Sequence, residues 1–408
     1  MKSTQQALNA FDAIVLSVCC GLSVATAYYN QAMLPLIGAS FTVSPTHTGQ
    51  VATATQLGYA LGLLLFVPLG DRVQRRNLIM ALLTGNIVSL LWCASTGSYS
   101  TLLVSSVAIG VSAISAQIII PGTMTWVDAQ HRGRVLGLMV SGLSAGGLLA
   151  RTVSGALGHW LGWRGMFTVA AGMDVLVLLA IAARMPRSEV VISLPYGALL
   201  GSLGGLLRRY PSLWRSALCG GLLFGALNVF WGSMAGLLAR PPYGFSTLQS
   251  GLIGLSAVVG IVSASTLGRW TRQHSLRLSC LGATLVLAAF LALVFAADAK
   301  LIPLVVLAAT CIDLGNRANQ LAHQTQVLAL QPDAVSRLNT VFMMIYFIGG
   351  ALGSSLGAAA AGRYGWPGMA AAGALLSIAA GVGSAAFSRT RQGSKAIPRQ
   401  ANRNRQAS

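Results

Sequence analysis

Gly162-Trp163-Arg164-Gly165-Met166 recurs, 203 residues later and without a gap, as Gly365-Trp366-Pro367-Gly368-Met369. At the same offset Arg134 meets Arg337, and Gly146-Gly147 meets Gly349-Gly350. Chance can supply matched glycines in a chain that has 47 of them, but not Gly-Trp-x-Gly-Met in register with the rest. Each copy lies between apolar runs, 134–160 and 166–184 around the first and 336–361 and 368–388 around the second. The chain therefore reads as one unit written twice.

The composition says what that unit is made of. Of 408 residues 54% are hydrophobic and 9% charged, against about 25% charged in an average soluble domain. Apolar runs of the length a helix needs to cross about 30 Å of hydrocarbon fall at 13–37, 48–69, 77–96, 100–127, 134–160 and 166–184, then at 214–238, 247–268, 276–297, 301–329, 336–361 and 368–388. The expectation is an all-α membrane protein of twelve transmembrane helices in two parallel six-helix repeats. An offset of six helices preserves orientation, so the halves are related by an axis along the membrane normal. The division is an N-terminal six-helix bundle over 1–184, a linker over 185–213, a C-terminal six-helix bundle over 214–388 and a basic tail over 389–408. Pro186, Pro195 and Pro211 stop a helix from running through the linker, while 197–207 is apolar enough for a helix lying along the membrane surface. The last 20 residues are polar, a composition that favours disorder.

A net charge of +19 raises the question of nucleic acid, and its placement answers it. Of the 27 Lys and Arg residues, all but Arg151, Arg164, Arg240, Lys300, Arg317 and Arg363 fall in the termini or in loops of one sidedness. That is the positive-inside pattern. It places the chain in a bacterial-type inner membrane with both termini cytoplasmic, the basic tail against anionic headgroups, and nucleic acid excluded as a partner. Cys19, Cys20, Cys93, Cys219, Cys280 and Cys311 all sit in apolar spans and read as small hydrophobes. No cleavable signal is expected at the N-terminus.

Pro68-Leu69-Gly70-Asp71-Arg72-x-x-Arg75-Arg76 resembles the signature loop of the major facilitator superfamily, Gly-x-Leu-Ala-Asp-Arg-x-Gly-Arg-Arg, with Val67 and Gln74 where the family has glycine. Gly142-x-x-x-Gly146-Gly147 followed by Gly155 is similar to the glycine-rich motif of its antiporters, without the usual proline. Asp313-Leu314-Gly315, Arg337-Leu338-Asn339-Thr340 and Gly349-Gly350 resemble permeases related to arabinose and drug efflux. The resemblance covers nearly the whole chain. It implies a secondary transporter working by alternating access, with the first, fourth, seventh and tenth helices around a central cavity.

Within that frame, Asp71, Arg72, Arg75 and Arg76 form a candidate gating loop. A carboxylate at a helix end can cap a neighbouring helix and pair with guanidinium groups, which makes a latch; the bland alternative is a topology signal. Asp313 and Arg317 share one face of the tenth span with Asn316, Gln320 and Gln324. Ionisable groups at membrane depth are costly and face the bundle interior. Asp313 is the first candidate for proton coupling and Asp174 the second; equally, Asp313 could be a structural partner of Arg317. Arg151 could contact an anionic substrate or pair with Asp174 or Asp313. From Tyr28-Tyr29-Asn30-Gln31, Tyr29 and Asn30 are the candidate substrate contacts, with anchoring at the headgroups as the alternative. Gln56, Tyr59, Gln117, Asn228 and Trp231 complete a polar and aromatic cavity suited to sugars or neutral polar solutes, or to ordinary interhelical hydrogen bonds. The glycine pairs on the fifth and eleventh spans are expected to let the two halves approach closely.

The sequence carries no Gly-x-x-x-x-Gly-Lys-Ser/Thr loop, no helical histidine pair for a metal and no Gly-x-Ser-x-Gly nucleophile. A non-enzymatic transporter without metal or cofactor is expected, acting as a monomer on protons and a small organic solute, sugar-like or drug-like. Efflux in exchange for protons comes first. A facilitator or importer is the alternative within transport, and a non-transporting membrane sensor or structural protein the alternative outside it.

Overall fold

The computed structural model describes residues 9–128, 130–186, 195–295, 301–331 and 334–404, with backbone alone at 257, 259–274 and 387–404. Its helices are α1 (Ala10–Ala25), α2 (Asn30–Phe41), α3 (Pro45–Leu69), α4 (Arg75–Ser95), α5 (Tyr99–Ser112), α6 (Ser115–Met124), α7 (Arg132–Arg184), α8 (Tyr196–Arg209), α9 (Pro211–Leu238), α10 (Thr247–Leu252), α11 (Val258–Leu293), α12 (Ile302–Leu328) and α13 (Val335–Asn404), with a 3₁₀ turn Ile253–Ala257 between α10 and α11. Eight helical stretches among the described residues are long and apolar enough to cross a membrane. Two of these exceed 50 residues, so a straight rod would overshoot the bilayer more than twofold.

Both long stretches break at the repeated pentapeptide. Gly162 has φ 68° and ψ 173°, and Gly365 φ 63° and ψ −142°, a backbone region that side chains bearing a Cβ rarely adopt. The tryptophan that follows each, Trp163 and Trp366, is buried, as are Met166 and Met369. Contacts show the chain folding back there. Ser17 of α1 bonds the Leu138 carbonyl, while Asp12 of the same helix end pairs with Arg184 at 3.1 Å. Both ends of α7 thus return to one end of α1, and Gly162 lies at the other. A second correspondence runs at an offset of 202: Ser44 caps α3 through the His47 amide, and Ser246 caps α10 through the Gln249 amide.

Several expected spans differ in detail. The first, 13–37, is interrupted by turn conformation over 26–29, and the fourth, 100–127, by a step at Ala113–Ile114. Hydroxyls compete with the helical ladder at both places: Thr26 Oγ1 bonds the Ser23 carbonyl, and Ser112 Oγ the carbonyls of Ala108 and Ile109. The eighth and ninth spans join as one helical run in α11, and α13 continues to Asn404 where composition favours disorder; Ala, Arg, Gln and Lys in that tail are strong helix formers. The linker helix forms as α8, its Leu199, Leu203 and Leu206 buried on one stripe and Arg208 and Arg209 in its last turn. All six cysteines are free, four of them buried.

The glycine pairs are the main correction. Gly146 packs against Gly21 of α1 and Gly349 against Gly221 of α9, each within its own set of helices rather than between sets. The crossings between sets lie elsewhere. A Cβ on Gly155 of α7 would stand 2.6 Å from the Thr247 carbonyl oxygen and 2.8 Å from Gly251 Cα of α10. Gly49 of α3 meets Ala358 of α13 as closely.

Candidate functional site

A cavity of ≈ 100 Å³ lies where α1, the turn after it, α6 and α7 face α9, α12 and α13. Its polar wall is one network spanning both sets. Arg151 Nε donates to Gln31 Oε1 at 2.7 Å, and its guanidinium carbon stands 4.2 Å from the Trp231 ring centroid and 5.4 Å from that of Tyr28. Trp231 Nε1 donates to Asp313 Oδ1 at 3.2 Å. Asn228 Oδ1 accepts from Gln31 Nε2 at 3.2 Å and from Gln56 Nε2 at 3.5 Å. Arg151 and Asp313 are both under 5% exposed, yet Arg151 Nη1 and Asp313 Oδ2 have no partner. Buried polar atoms are nearly always satisfied, so a cation donor and an anion acceptor stand ready around one small cavity.

Of the residues read from sequence, Gln117, Arg151, Asp313, Asn316, Arg317 and Gln320 line this cavity. Gln56, Tyr59, Asn228 and Trp231 stand behind its wall; Tyr59 accepts from Gln117 at 3.3 Å and stacks on Phe347 at 4.1 Å. Others go elsewhere. Tyr29 turns to Met173 in an apolar groove between α1 and α7, Asn30 bonds Thr55 at 2.8 Å, and Gln324 bonds Asn339 at 2.7 Å. The turn at 26–29 rotates the tyrosine pair, so Tyr28 lines the cavity, while Gln31 bonds Arg151 and Asn228 behind it. The expected charge pairs do not form. Asp313 bonds Trp231 while Arg317 bonds Gln320 at 3.2 Å, and Asp174 accepts from Asn86 at 2.7 Å rather than pairing with Arg151. Tyr346, missed from sequence, lines the cavity, bonds Asn316 at 3.0 Å and stacks on Phe224 at 4.0 Å. Among the described residues no three His, Cys, Asp or Glu side chains gather to hold a metal.

The model of the Major Facilitator Superfamily matches residues 16–318. The chain belongs to the major facilitator superfamily. It is 36% identical over 366 residues to YgaY of Escherichia coli O157:H7, named an uncharacterized transporter, covering 90% of this chain and 92% of that one. Identity to SCO4007 of Streptomyces coelicolor, also named a transporter, is 30%, covering 88% and 83%. Among solved structures, a variant of the nucleoside transporter NupG superposes with a TM-score of 0.76 at 12% identity, covering 92% and 99% of the two chains. A bacterial homologue of the lysosomal transporter Spinster, inward-facing and occupied, gives 0.72 at 16%, covering 93% and 97%. The protein is thus a multi-pass membrane transporter of this superfamily, and not an enzyme.

The two ends of this transporter's cavity differ. At the end carrying Gly162 and Gly365, the sets interlock through Gly155 with Gly251, Gly49 with Ala358, and Gly362 with Thr46. A second cavity of ≈ 310 Å³ sits there between α2, α3, α9 and α13, apolar except for Thr48, Ser233 and Arg240. Among the described residues α1 and α6 pack on α7, and α12 on α9, α11 and α13, with no close packing of α1 or α6 against α12. The candidate gating loop lies at the end away from these crossings, beside Ala182 of α7. Asp71 pairs with Arg75 at 3.0 Å, Arg75 also bonds the carbonyls of Gly70 and Pro121, and Arg76 bonds that of Ala182. Arg72 is exposed. All these bonds stay within the N-terminal set.

Proposed function

We propose that this transporter exports a small polar organic solute in exchange for protons, by alternating access to the cavity between Arg151 and Asp313. The observation that carries the reading is the unpartnered pair of atoms there, Arg151 Nη1 and Asp313 Oδ2, buried beside one small cavity between the two sets of helices. A solute presenting an acceptor to Arg151 and a donor to Asp313, with a ring or apolar face for Tyr28 and Trp231, satisfies both. In this reading Asp313 exchanges its proton with solute when the cavity changes sides. Arg317 and Gln320, which line the cavity on the arginine-rich side of Asp313, receive the solute first.

The architecture that goes with it is twelve spans in two parallel six-helix repeats, 1–184 and 214–388, joined by the 185–213 linker and followed by the 389–408 tail. What supports it is the matched breaks at Gly162 and Gly365 and the matched caps at Ser44 and Ser246. The arginine-rich end and both termini face the cytoplasm of an inner membrane, following the charge pattern. The described conformation is then inward-open. When that side closes, Asp71 exchanges its bond to Arg75 for contacts across the sets, which makes the loop a latch.

Resistance and uptake profiles of cells with and without the protein identify the solute class. Reconstituted vesicles with imposed pH gradients then test the exchange. No gradient-dependent flux of any solute that the cellular profile selects would overturn proton-coupled export.

A further inference from the structure

The two cavities between the sets follow one another along the helices that line them. Tyr28 lines the ≈ 100 Å³ cavity and Leu34 the ≈ 310 Å³ one, with Gln31 midway between them in the chain. On α9 Leu227 lines the first and Gly232 the second, with Asn228 between; on α13 the order runs from Tyr346 to Ala358. Gln31 and Asn228 are 1% and 0% exposed and line neither cavity. Gln31 Nε2 donates to Asn228 Oδ1 at 3.2 Å, so a buried hydrogen bond from the N-terminal set to the C-terminal one stands at the partition.

Arg151 sets the direction of that bond. A guanidinium only donates, so Gln31 turns Oε1 to Arg151 Nε, at 2.7 Å, and is left with Nε2 as its donor. Asn228 then presents Oδ1, and its Nδ2 donates to the Phe224 carbonyl at 2.9 Å. The charge-assisted bond to Arg151 is the shorter and stronger of the two, so the link between the amides is the one that yields when the sets separate. Two more side-chain hydrogen bonds cross nearby, Gln56 to Asn228 at 3.5 Å and Thr152 to the Gly251 carbonyl at 2.9 Å. The first is long, and Gln56 Oε1 is buried without a partner, which leaves Gln31 as the better-seated side of the partition.

We infer that Gln31 is the gate between the two cavities and the positioning residue through which the solute works it. The Gln31–Asn228 bond shuts the passage from the solute cavity toward the Gly162 end, and its release opens that passage. The guanidinium of Arg151 is planar and rigid, so Nε and the unpartnered Nη1 move together. A solute that engages Nη1 turns the plane that holds Gln31 and loosens the bond to Asn228. It thereby favours the conformation with the gate open, which is the differential interaction a ligand-driven change requires. The inference rests on alternating access, and not on the solute's identity or on protons.

Gate strength is read without solute, from the distance between spin labels at Trp160 and Tyr364 in the full-length, cysteine-free protein reconstituted in lipid. Gln31→Leu removes one interhelical hydrogen bond and is expected to raise the ratio of long to short distances about 3- to 20-fold. Asn228→Leu breaks the same link from the other side, leaves Gln31 on Arg151, shifts the ratio likewise, and carries the test if Gln31→Leu does not fold. The double variant shifts no further than Asn228→Leu alone. Asn30→Leu, which removes an equally buried amide bonded to Thr55 inside the N-terminal set, keeps the wild-type distribution. An unchanged distribution in the two leucine variants at the gate overturns the inference, as does an equal shift in Asn30→Leu or single effects that add in the double variant. Gly155→Ala in the same label pair separates gate from motion. Longer distances there but not in the gate variants mean that the end opens without Gln31 holding it; no response in any of the three removes alternating access at this end along with the gate.

Discussion

Gly155→Ala adds one methyl group at the crossing of α7 and α10. That carbon would lie 2.6 Å from the Thr247 carbonyl oxygen and 2.8 Å from Gly251 Cα, where carbon contacts are comfortable at about 3.5–4.0 Å. The two helices must separate by roughly 1 Å to admit it. Overpacking of this kind costs about 1–3 kcal/mol. Because the crossing joins the two sets only at the end carrying Gly162 and Gly365, the penalty falls on the conformation closed at that end and not on its opposite. An equilibrium moved by about 1–3 kcal/mol changes its ratio about 5- to 150-fold. Spin labels at Trp160 and Tyr364, both well exposed beside the two glycine turns, report the change, in a background with the six cysteines replaced. Gly155→Ala is expected to shift the distance distribution to longer values and to slow turnover. Gly172→Ala, where an added Cβ meets nothing within 4 Å, leaves both unchanged. An unaltered distribution and wild-type turnover in Gly155→Ala would refute the idea that this crossing opens.

Asp71→Asn is expected to impair transport while the protein still inserts, since the substitution removes a charge at a membrane edge and buries nothing; full turnover in vesicles reduces the loop to a topology signal. Gly162→Ala and Gly365→Ala each force a Cβ into positive φ, at about 1–3 kcal/mol, and should lower the thermal unfolding midpoint of the purified protein; unchanged midpoints contradict the assigned breaks. Reporter fusions at Ser408 and in the 185–213 linker should both report cytoplasm, and an active periplasmic reporter at either reverses the orientation.

The all-helical membrane character was legible because apolar length is a local property, and the repeated pentapeptide marks a backbone geometry that glycine alone supplies cheaply. The glycine pairs on α7 and α13 announced close packing but not against what, since a small residue has no address until its partner is placed. The site was read in part. Arg151, Asp313, Asn316 and Arg317 stood out as charges or amides in apolar runs, and the fold gathers them around one cavity. Their pairing was not legible: Asp313 and Arg317 share a helical face, yet the Trp231 indole and the Gln320 amide reach them first. That Tyr28 lines the cavity while Tyr29 and Asn30 do not has a different reason. A hydroxyl at Thr26, bonding its own backbone, interrupts the helix and turns the next residues, a local competition that hydropathy does not register. Gln31 could have been found by asking what satisfies a buried Arg151.

Alternating access with proton exchange at Asp313 is tested most directly by one comparison in vesicles reconstituted with Asp313→Asn. Solute accumulation driven by an imposed pH gradient is measured beside counterflow of the same solute with no gradient. A permanently neutral side chain keeps the cavity's shape and its bond from Trp231, so counterflow is expected to persist while gradient-driven accumulation is lost. Gradient-driven accumulation that survives in this variant would contradict the account.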